Sequence, residues 1–229
     1  MGGKKKEYLR LLPISAEEKP LTVLGASVRT FASCNRIDPI IIVIPPGGED
    51  DALASLPEEL SSGELSSGTG RILLVTGGLT RRSSVHKALL KLKALESHKV
   101  SHVLIHDGAR PWVSLGLIEK IIDAAILWGA VIPALPLTET PKELSPLKRS
   151  PGQIQFIRRH IKREALWGAQ TPQGFKFPEI LLAHEKAAEN AGKDIEYTDD
   201  AEVWGEFIGQ VAVIPGDREN RKITYPEDL

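Results

Sequence analysis

The chain has 229 residues, 41% of them hydrophobic and 26% charged, and a formal net charge of −1. That length supports one buried core and a single domain over residues 1–229. The near-neutral charge argues against a general nucleic-acid binder, whose affinity needs a positive excess. No run approaches the roughly 18–20 apolar residues that span a bilayer, and the polar start carries no signal peptide, so no membrane partner and a cytoplasmic location are expected.

In chain order, Lys4, Lys5 and Lys6 form a short basic run that composition alone reads as a solvated terminus. Leu21, Leu24, Val28 and Phe31 fall on one helical stripe. The single cysteine, Cys34, excludes an internal disulfide and reads as a small core residue. Ile40–Ile44, closed by Pro45-Pro46, predicts a buried strand. Residues 47–70 read as a surface excursion with one short helix. Arg71–Thr76 is a strand, followed by a helix marked by Val85, Leu89 and Leu92, with Ser83 or Ser84 expected as N-cap. Val103–Ile105 is a strand, Leu115–Trp128 a helix, and Ala130–Leu135 a strand. Residues 137–162 break the rhythm, with a weak strand near Ile154–Ile157. Pro178–Ala191 and Asp199–Phe207 read as helices and Gln210–Ile214 as a last strand. Alternation of this kind predicts an α/β fold with a mainly parallel sheet covered by helices on both faces. Ligands of such sheets bind in loops at the carboxyl ends of strands.

Three such loops carry unusual residues. Gly77-Gly78-Leu79-Thr80-Arg81-Arg82-Ser83-Ser84-Val85 runs from a strand into a helix. It reads either as a backbone cradle for an anion, helped by Arg81 and Ser84, or as a tight turn with an N-cap. His106-Asp107-Gly108-Ala109-Arg110-Pro111 sets an acid and an arginine three apart after an apolar strand. That spacing suits either a metal and a phosphate at one point or a surface ion pair. His106 is assigned no role. The segment Arg163–Phe175 holds Trp167 and Phe175, expected as core anchors, and Gln170, Thr171 and Gln173, polar groups that a pure core disfavours. Thr198-Asp199-Asp200-Ala201 reads as an N-cap with acids at a helix N-terminus, and Lys222 as a solvated lysine.

The ordered set resembles the 2-C-methyl-D-erythritol 4-phosphate cytidylyltransferases over nearly the whole chain. It comprises Lys6-Glu7-Tyr8-Leu9, Gly77–Val85, His106–Pro111, Leu166–Phe175, Thr198–Ala201 and Asn220–Leu229. The resemblance implies a Rossmann-like nucleotidyltransferase fold. It also implies a reaction in which the 4-phosphate of methylerythritol attacks the α-phosphorus of CTP and pyrophosphate leaves. Lys6 matches the lysine that stabilises the transition state, which revises its reading as solvated. Gly77, Gly78, Arg81 and Ser84 match the nucleotide pocket. Asp107 and Arg110 match the centre of the site, with Mg²⁺ held mainly by the triphosphate and Asp107 close by. Thr140, Arg163, Thr171 and Lys222 match the groups that hold methylerythritol phosphate, with Arg163 and Lys222 aiming the attacking phosphate. Family members are homodimers, and 137–162 matches their protruding arm, so Arg163 and Thr140 are expected to serve the partner's site.

Departures also follow from the resemblance. The family begins with a strand and a glycine-rich Ala-Ala-Gly loop ending in a catalytic arginine, which this sequence lacks ahead of Lys6; a misplaced start or an incomplete chain is the expected account. The sequence ends at Pro226-Glu227-Asp228-Leu229, where the family continues into a helix, and Glu139-Thr140 replaces Asp-Thr. The alternative enzyme is a ribitol-5-phosphate-type cytidylyltransferase. Arg82-Ser83-Ser84-Val85, Leu166-Trp167 and Asp199-Asp200 favour the methylerythritol type. A catalytically impaired phosphate-binding dimer is the remaining alternative.

Overall fold

The computed structural model describes residues 5–12, 20–61, 71–95, 99–145, 154–189 and 197–229. Lys4, part of the 47–70 excursion, the middle of the arm and the Asn190–Ala191 helix end lie outside them.

The elements follow the alternation read from the sequence. They are α1 (Val23–Ala32), β1 (Ile40–Ile44), α2 (Glu49–Ser55), α3 (Glu58–Ser61), β2 (Ile72–Thr76), α4 (Arg81–Lys93), β3 (His102–Ile105), α5 (Leu115–Trp128), β4 (Ala130–Pro136), β5 (Lys142–Leu144), β6 (Ile157–His160), β7 (Trp167–Ala169), β8 (Gln173–Lys176), α6 (Glu179–Glu189), α7 (Asp200–Phe207) and β9 (Ala212–Pro215). β1 and β2 pair in parallel from Ile40–Ile72 to Ile44–Thr76. β4 pairs in parallel with β9. β8, which the periodicity did not reveal, lies antiparallel between β3 and β4, so β3 and β4 run the same way. β7, also unread, pairs antiparallel with β4.

The alternating faces of β4 and β8 divide the core. Ala130 opposite Phe175 looks toward α6 and α7, where Ile180, Leu181, Val203 and Trp204 are buried. Val131 opposite Gly174 looks toward α5, whose Ile118, Ile121 and Ala125 recur at helical spacing. A Cβ at Gly174 would sit 2.9 Å from Ile121 Cγ2 and 3.0 Å from Ala125 Cβ, so the strand passes directly beneath the helix only because it has no side chain there. Cys34 is 2% exposed within this same layer. A third cluster holds β1 and β2 against α1. Among the described residues β1 and β3 each have one ladder partner. A cleft of about 1140 Å³ is lined by both strands and runs up to Gly77, Arg81 and Asp107.

Several expectations are corrected. The N-cap of α4 is Thr80, not Ser83 or Ser84: Thr80 Oγ1 accepts the Ser83 N–H at 3.1 Å, and Ser83 Oγ accepts the Thr80 N–H at 3.0 Å. A hydroxyl three residues ahead of a partner hydroxyl closes a reciprocal box, so the helix begins three to four residues earlier. Trp167 is 52% exposed rather than a core anchor, because β7 is an edge strand at the base of the arm, whereas Phe175 is fully buried. The second arm strand is Ile157–His160 rather than Ile154–Ile157. Polar groups build its ladder: Arg158 and Arg159 clasp Glu143 at 3.1 and 2.8 Å, while Ile154 and Phe156 stay 78% and 70% exposed.

Candidate active site

Three strand-end loops and both ends of the described chain meet beside the cleft. β3 delivers Asp107 just past its carboxyl end. Its carboxylate receives Lys222 Nζ at 3.0 Å on Oδ2, with Arg110 Nε 3.7 Å away, while Oδ1 faces Arg81 Nε at 3.9 Å. Burial alone would raise the Asp107 pKa, but Lys222, Arg81 and Arg110 outweigh it and hold the carboxyl below its ordinary range. For Arg81 the balance is similar: burial disfavours the charge, but Asp200 and Asp107 together raise its pKa. Burial lowers the Arg110 pKa against the pull of Asp107. Lys222, a solvated residue by composition, stays 45% exposed but is ion-paired.

Lys6 belongs to the same neighbourhood. It sits in a short 3-10 turn, and its ammonium donates to Ile223 O at 2.7 Å. The Ile223 N–H donates to Ala109 O at 2.8 Å, inside the Asp107–Arg110 turn. One backbone residue therefore ties Lys6 to Lys222 and to the turn. Three cations surround one carboxylate, and Lys6 is joined to them through Ile223.

The polar residues of the 170–173 segment are fully used. Gln170 Oε1 accepts the Asp217 N–H at 3.0 Å, and its Nε2 donates to Asp217 O at 2.8 Å. Asn220 Nδ2 donates to Thr171 O at 2.7 Å, and Arg110 Nη1 donates to Asn220 O at 2.7 Å. Gln173 Nε2 donates to Asp199 Oδ2 at 2.8 Å, and its Oε1 accepts the Ala201 N–H at 3.1 Å, seating the start of α7. Asp199 is the N-cap of that helix, accepting the Glu202 N–H at 2.9 Å. Asp200 instead turns inward and accepts from Arg81 Nη2 at 2.7 Å.

The glycine loop serves its own helix. Ser84 Oγ accepts the Gly78 N–H at 3.0 Å, and a Cβ at Gly78 would collide with the Ser83 side chain. Gly77, Gly78, Arg81 and Ser84 all line the cleft together with Asp107. Thr140 and Arg163 lie elsewhere: both are exposed at the base of the arm, where Arg163 Nη1 donates to Thr138 O at 2.8 Å.

His106, unassigned from sequence, has both ring nitrogens engaged. Arg110 O can only accept, so the proton of the neutral ring sits on Nε2, and Nδ1 accepts the Thr171 hydroxyl at 3.0 Å while Thr171 Oγ1 accepts the Asp107 N–H at 3.0 Å. Nε2–H is then the donor to Arg110 O at 3.1 Å. This is a neutral ring, and burial pushes its pKa from 6.5 down to about 4. The unfolded chain takes up the proton first, so stability is full above the unfolded value and drains as pH falls from about 6.5 toward 4, by at most about 3 kcal/mol. His86 and His102, whose pKa values burial also lowers, act in the same direction. Urea unfolding at pH 7.5 and 5.0 is expected to show a smaller stability loss in His106→Gln than in the wild type; equal losses would remove His106 from this account.

Among the described residues no group of three His, Cys, Asp or Glu side chains is placed to hold a metal ion by itself. Asp107 offers one carboxylate with Oδ2 already taken by Lys222. A divalent cation fits here only if phosphate oxygens and water complete its shell.

The chain matches the family model of the 2-C-methyl-D-erythritol 4-phosphate cytidylyltransferases over residues 3–229. It is 33% identical over 226 residues to the 2-C-methyl-D-erythritol 4-phosphate cytidylyltransferase of Pelotomaculum thermopropionicum, covering 98% of this chain and 83% of the relative. It is 34% identical over 228 residues to the bifunctional enzyme IspD/IspF of Anaeromyxobacter sp., covering 99% of this chain but 52% of that protein. The chain thus spans about half the length of its bifunctional relatives. Among solved structures, 4-diphosphocytidyl-2C-methyl-D-erythritol synthase of Anaerococcus prevotii superposes with a TM-score of 0.71 at 30% identity, covering 93% of this chain and 84% of that one. The Thermus thermophilus 2-C-methyl-D-erythritol 4-phosphate cytidylyltransferase gives 0.65 at 30% identity, covering 90% and 85%.

Proposed function

The chain belongs to the 2-C-methyl-D-erythritol 4-phosphate cytidylyltransferase family, and from that premise we propose that it transfers CMP from CTP to 2-C-methyl-D-erythritol 4-phosphate, releasing pyrophosphate. The observation that carries the proposal is the convergence of Lys222, Arg110 and Arg81 on Asp107 beside the cleft, with Lys6 one backbone residue away.

The chemistry asks for this arrangement. A phosphate monoester is already an anion near neutral pH, its second pKa being about 6. It needs no general base; the difficulty is bringing one anion up to another. Neither Asp107, held ionised by cations, nor neutral His106 is required to move a proton. Lys222 and Arg163 would aim the attacking phosphate, the latter from a partner subunit together with Thr140. Thr171, buried with its hydroxyl engaged by the Asp107 N–H and by His106, would serve the acceptor by holding the Asp107 turn. Lys6 and Arg110 would meet the charge that grows at the α-phosphate, while Gly77, Gly78, Arg81 and Ser84 would hold the cytidine. Positioning and charge stabilisation supply the acceleration. Mg²⁺ carried on the triphosphate would add further neutralisation of the phosphates. Asp107, its Oδ1 outside hydrogen-bond range of Arg81, is the group in reach of that ion.

The arm supports a homodimer. Leu144, Ile154, Phe156 and Ile157 are 45–78% exposed on it, a density of apolar surface that suits burial against a second copy. With charged phosphates as substrates and no described helix long and apolar enough to cross a membrane, the cytoplasm is the fitting place of action.

Incubation with CTP, methylerythritol phosphate and Mg²⁺ is expected to release pyrophosphate and give a diphosphate diester by ³¹P NMR. Faster turnover of ribitol 5-phosphate would replace the acceptor. Lys222→Ala is expected to lower kcat/KM about 100-fold, a loss of nearly 3 kcal/mol of transition-state stabilisation, with little change in Tm. Unchanged kinetics would remove Lys222 from the mechanism.

A further inference from the structure

Asp199 and Asp200 are adjacent acids with opposite fates. Asp199 caps α7. Asp200 is fully buried, although burying a carboxylate costs several kcal/mol unless it is well paired, and apolar replacement of such pairs often stabilises a protein. Its two oxygens are divided between two other elements. Oδ2 accepts from Arg81 Nη2 at 2.7 Å, in the first turn of α4. Oδ1 accepts from His184 Nε2 at 3.1 Å, on α6. His184 is itself fully buried, and its Nδ1 has no hydrogen-bond partner among the described residues. Its ring stacks on His86 at 6.2 Å with planes 21° apart, and His86 stands five residues after Arg81 on the same helix. A closed path therefore runs from α4 through Arg81, Asp200, His184 and His86 back to α4.

At the other end Arg81 emerges into the cleft, with Nε 3.9 Å from Asp107 Oδ1. A long side chain at a cleft wall ordinarily samples many rotamers, and fixing it at the moment of binding costs affinity. We propose that Asp200, braced from behind by His184, is a positioning residue that holds the Arg81 guanidinium in one orientation, so that its remaining N–H edge meets the nucleotide already aligned. The helix cap needs Asp199 alone; Asp200 is spent on the arginine. This proposal rests on the nucleotide reading of the cleft given above.

The test uses the full chain with CTP as the probe. Asp200→Asn keeps the shape and removes the charge. It is expected to raise the KM for CTP about tenfold while kcat changes less than threefold. In an Arg81→Ala background the same substitution is expected to add nothing, because Asp200 acts through Arg81. A tenfold effect that persists without Arg81, or an unchanged KM with a lowered Tm, would overturn the proposal and leave Asp200 a stability residue. ¹⁵N-arginine NMR of the unliganded wild type reads the restraint directly. Arg81, assigned by loss of its signal in Arg81→Lys, is expected to show separate, slowly exchanging Nη resonances. Averaged Nη resonances would sink the idea even if Asp200→Asn failed to fold. Absence of CTP binding by the wild type would refute the nucleotide reading, while the NMR measurement would still decide the restraint.

Discussion

Asp107→Asn is expected to lower kcat/KM by about three orders of magnitude while the protein stays folded. The substitution keeps the size of the side chain and removes the one negative charge around which Lys222, Arg110 and Arg81 gather. Without it, Lys222 and Arg110, both within 4 Å of Oδ2, repel each other while Arg81 stays on Asp200, and the flexible Lys222 is the first to swing away. On the proposed reading the acceptor phosphate would then lose its guide, and a cation carried on the triphosphate would lose the protein carboxylate beside it. Steady-state kinetics with both substrates checks the loss, and circular dichroism checks the fold. A change of less than tenfold would mean that the cations are held by other contacts and that Asp107 is dispensable. The direction of its pKa adds a second check. Because its neighbours keep the carboxyl below its ordinary range, no acidic limb of the rate profile between pH 5 and 7 should move on replacing it.

Gln170→Ala is expected to cost about 2–4 kcal/mol and, separately, at least tenfold in kcat/KM. Gln170 is 7% exposed and clips the Asp217 amide from both sides, with a longer bond to Asn220 O at 3.3 Å. Truncation leaves the Asp217 N–H without this partner, its C=O with the Asn220 N–H at 3.1 Å alone, and a hole where a buried side chain packed; each unmade bond costs about 1–3 kcal/mol. For a chain of this size that lowers Tm by about 5–15 °C. The kinetic loss arises because the same segment carries Asn220, Lys222 and Ile223, and Ile223 is where Lys6 docks. In a Lys222→Ala background most of the kinetic effect should vanish while the loss of stability remains. Two independent penalties would show that Gln170 has no part in placing the lysine.

Much of the frame was legible because local rules and tertiary packing agree. The β-branched run Ile40–Ile44 pairs along its whole length, and Leu115–Trp128 is the helix expected, with Leu117, Ile118, Ile121 and Ala125 buried. β8 stayed hidden for a physical reason. Gln173-Gly174-Phe175-Lys176 has neither alternation nor a β-branched residue, and its place in the sheet depends on a glycine that lets α5 approach. Trp167 was misread because an aromatic on an edge strand next to an arm obeys the arm's needs. Within the site, the loops at strand ends pointed to Asp107 and Arg110 directly. The partners of Arg81 did not show themselves: Asp200 is 119 residues away, and only the packing of α7 against α6 turns it inward.

β2 ends in the Gly77–Ser84 loop and β3 in Asp107–Arg110. Arg81 opens α4 within the first loop, and its guanidinium reaches Asp107 after β3 and Asp200 on α7. One side chain thus registers three separate elements. A displacement of any of them is passed to the other two through a single guanidinium, and a ligand that touched it would sense all three.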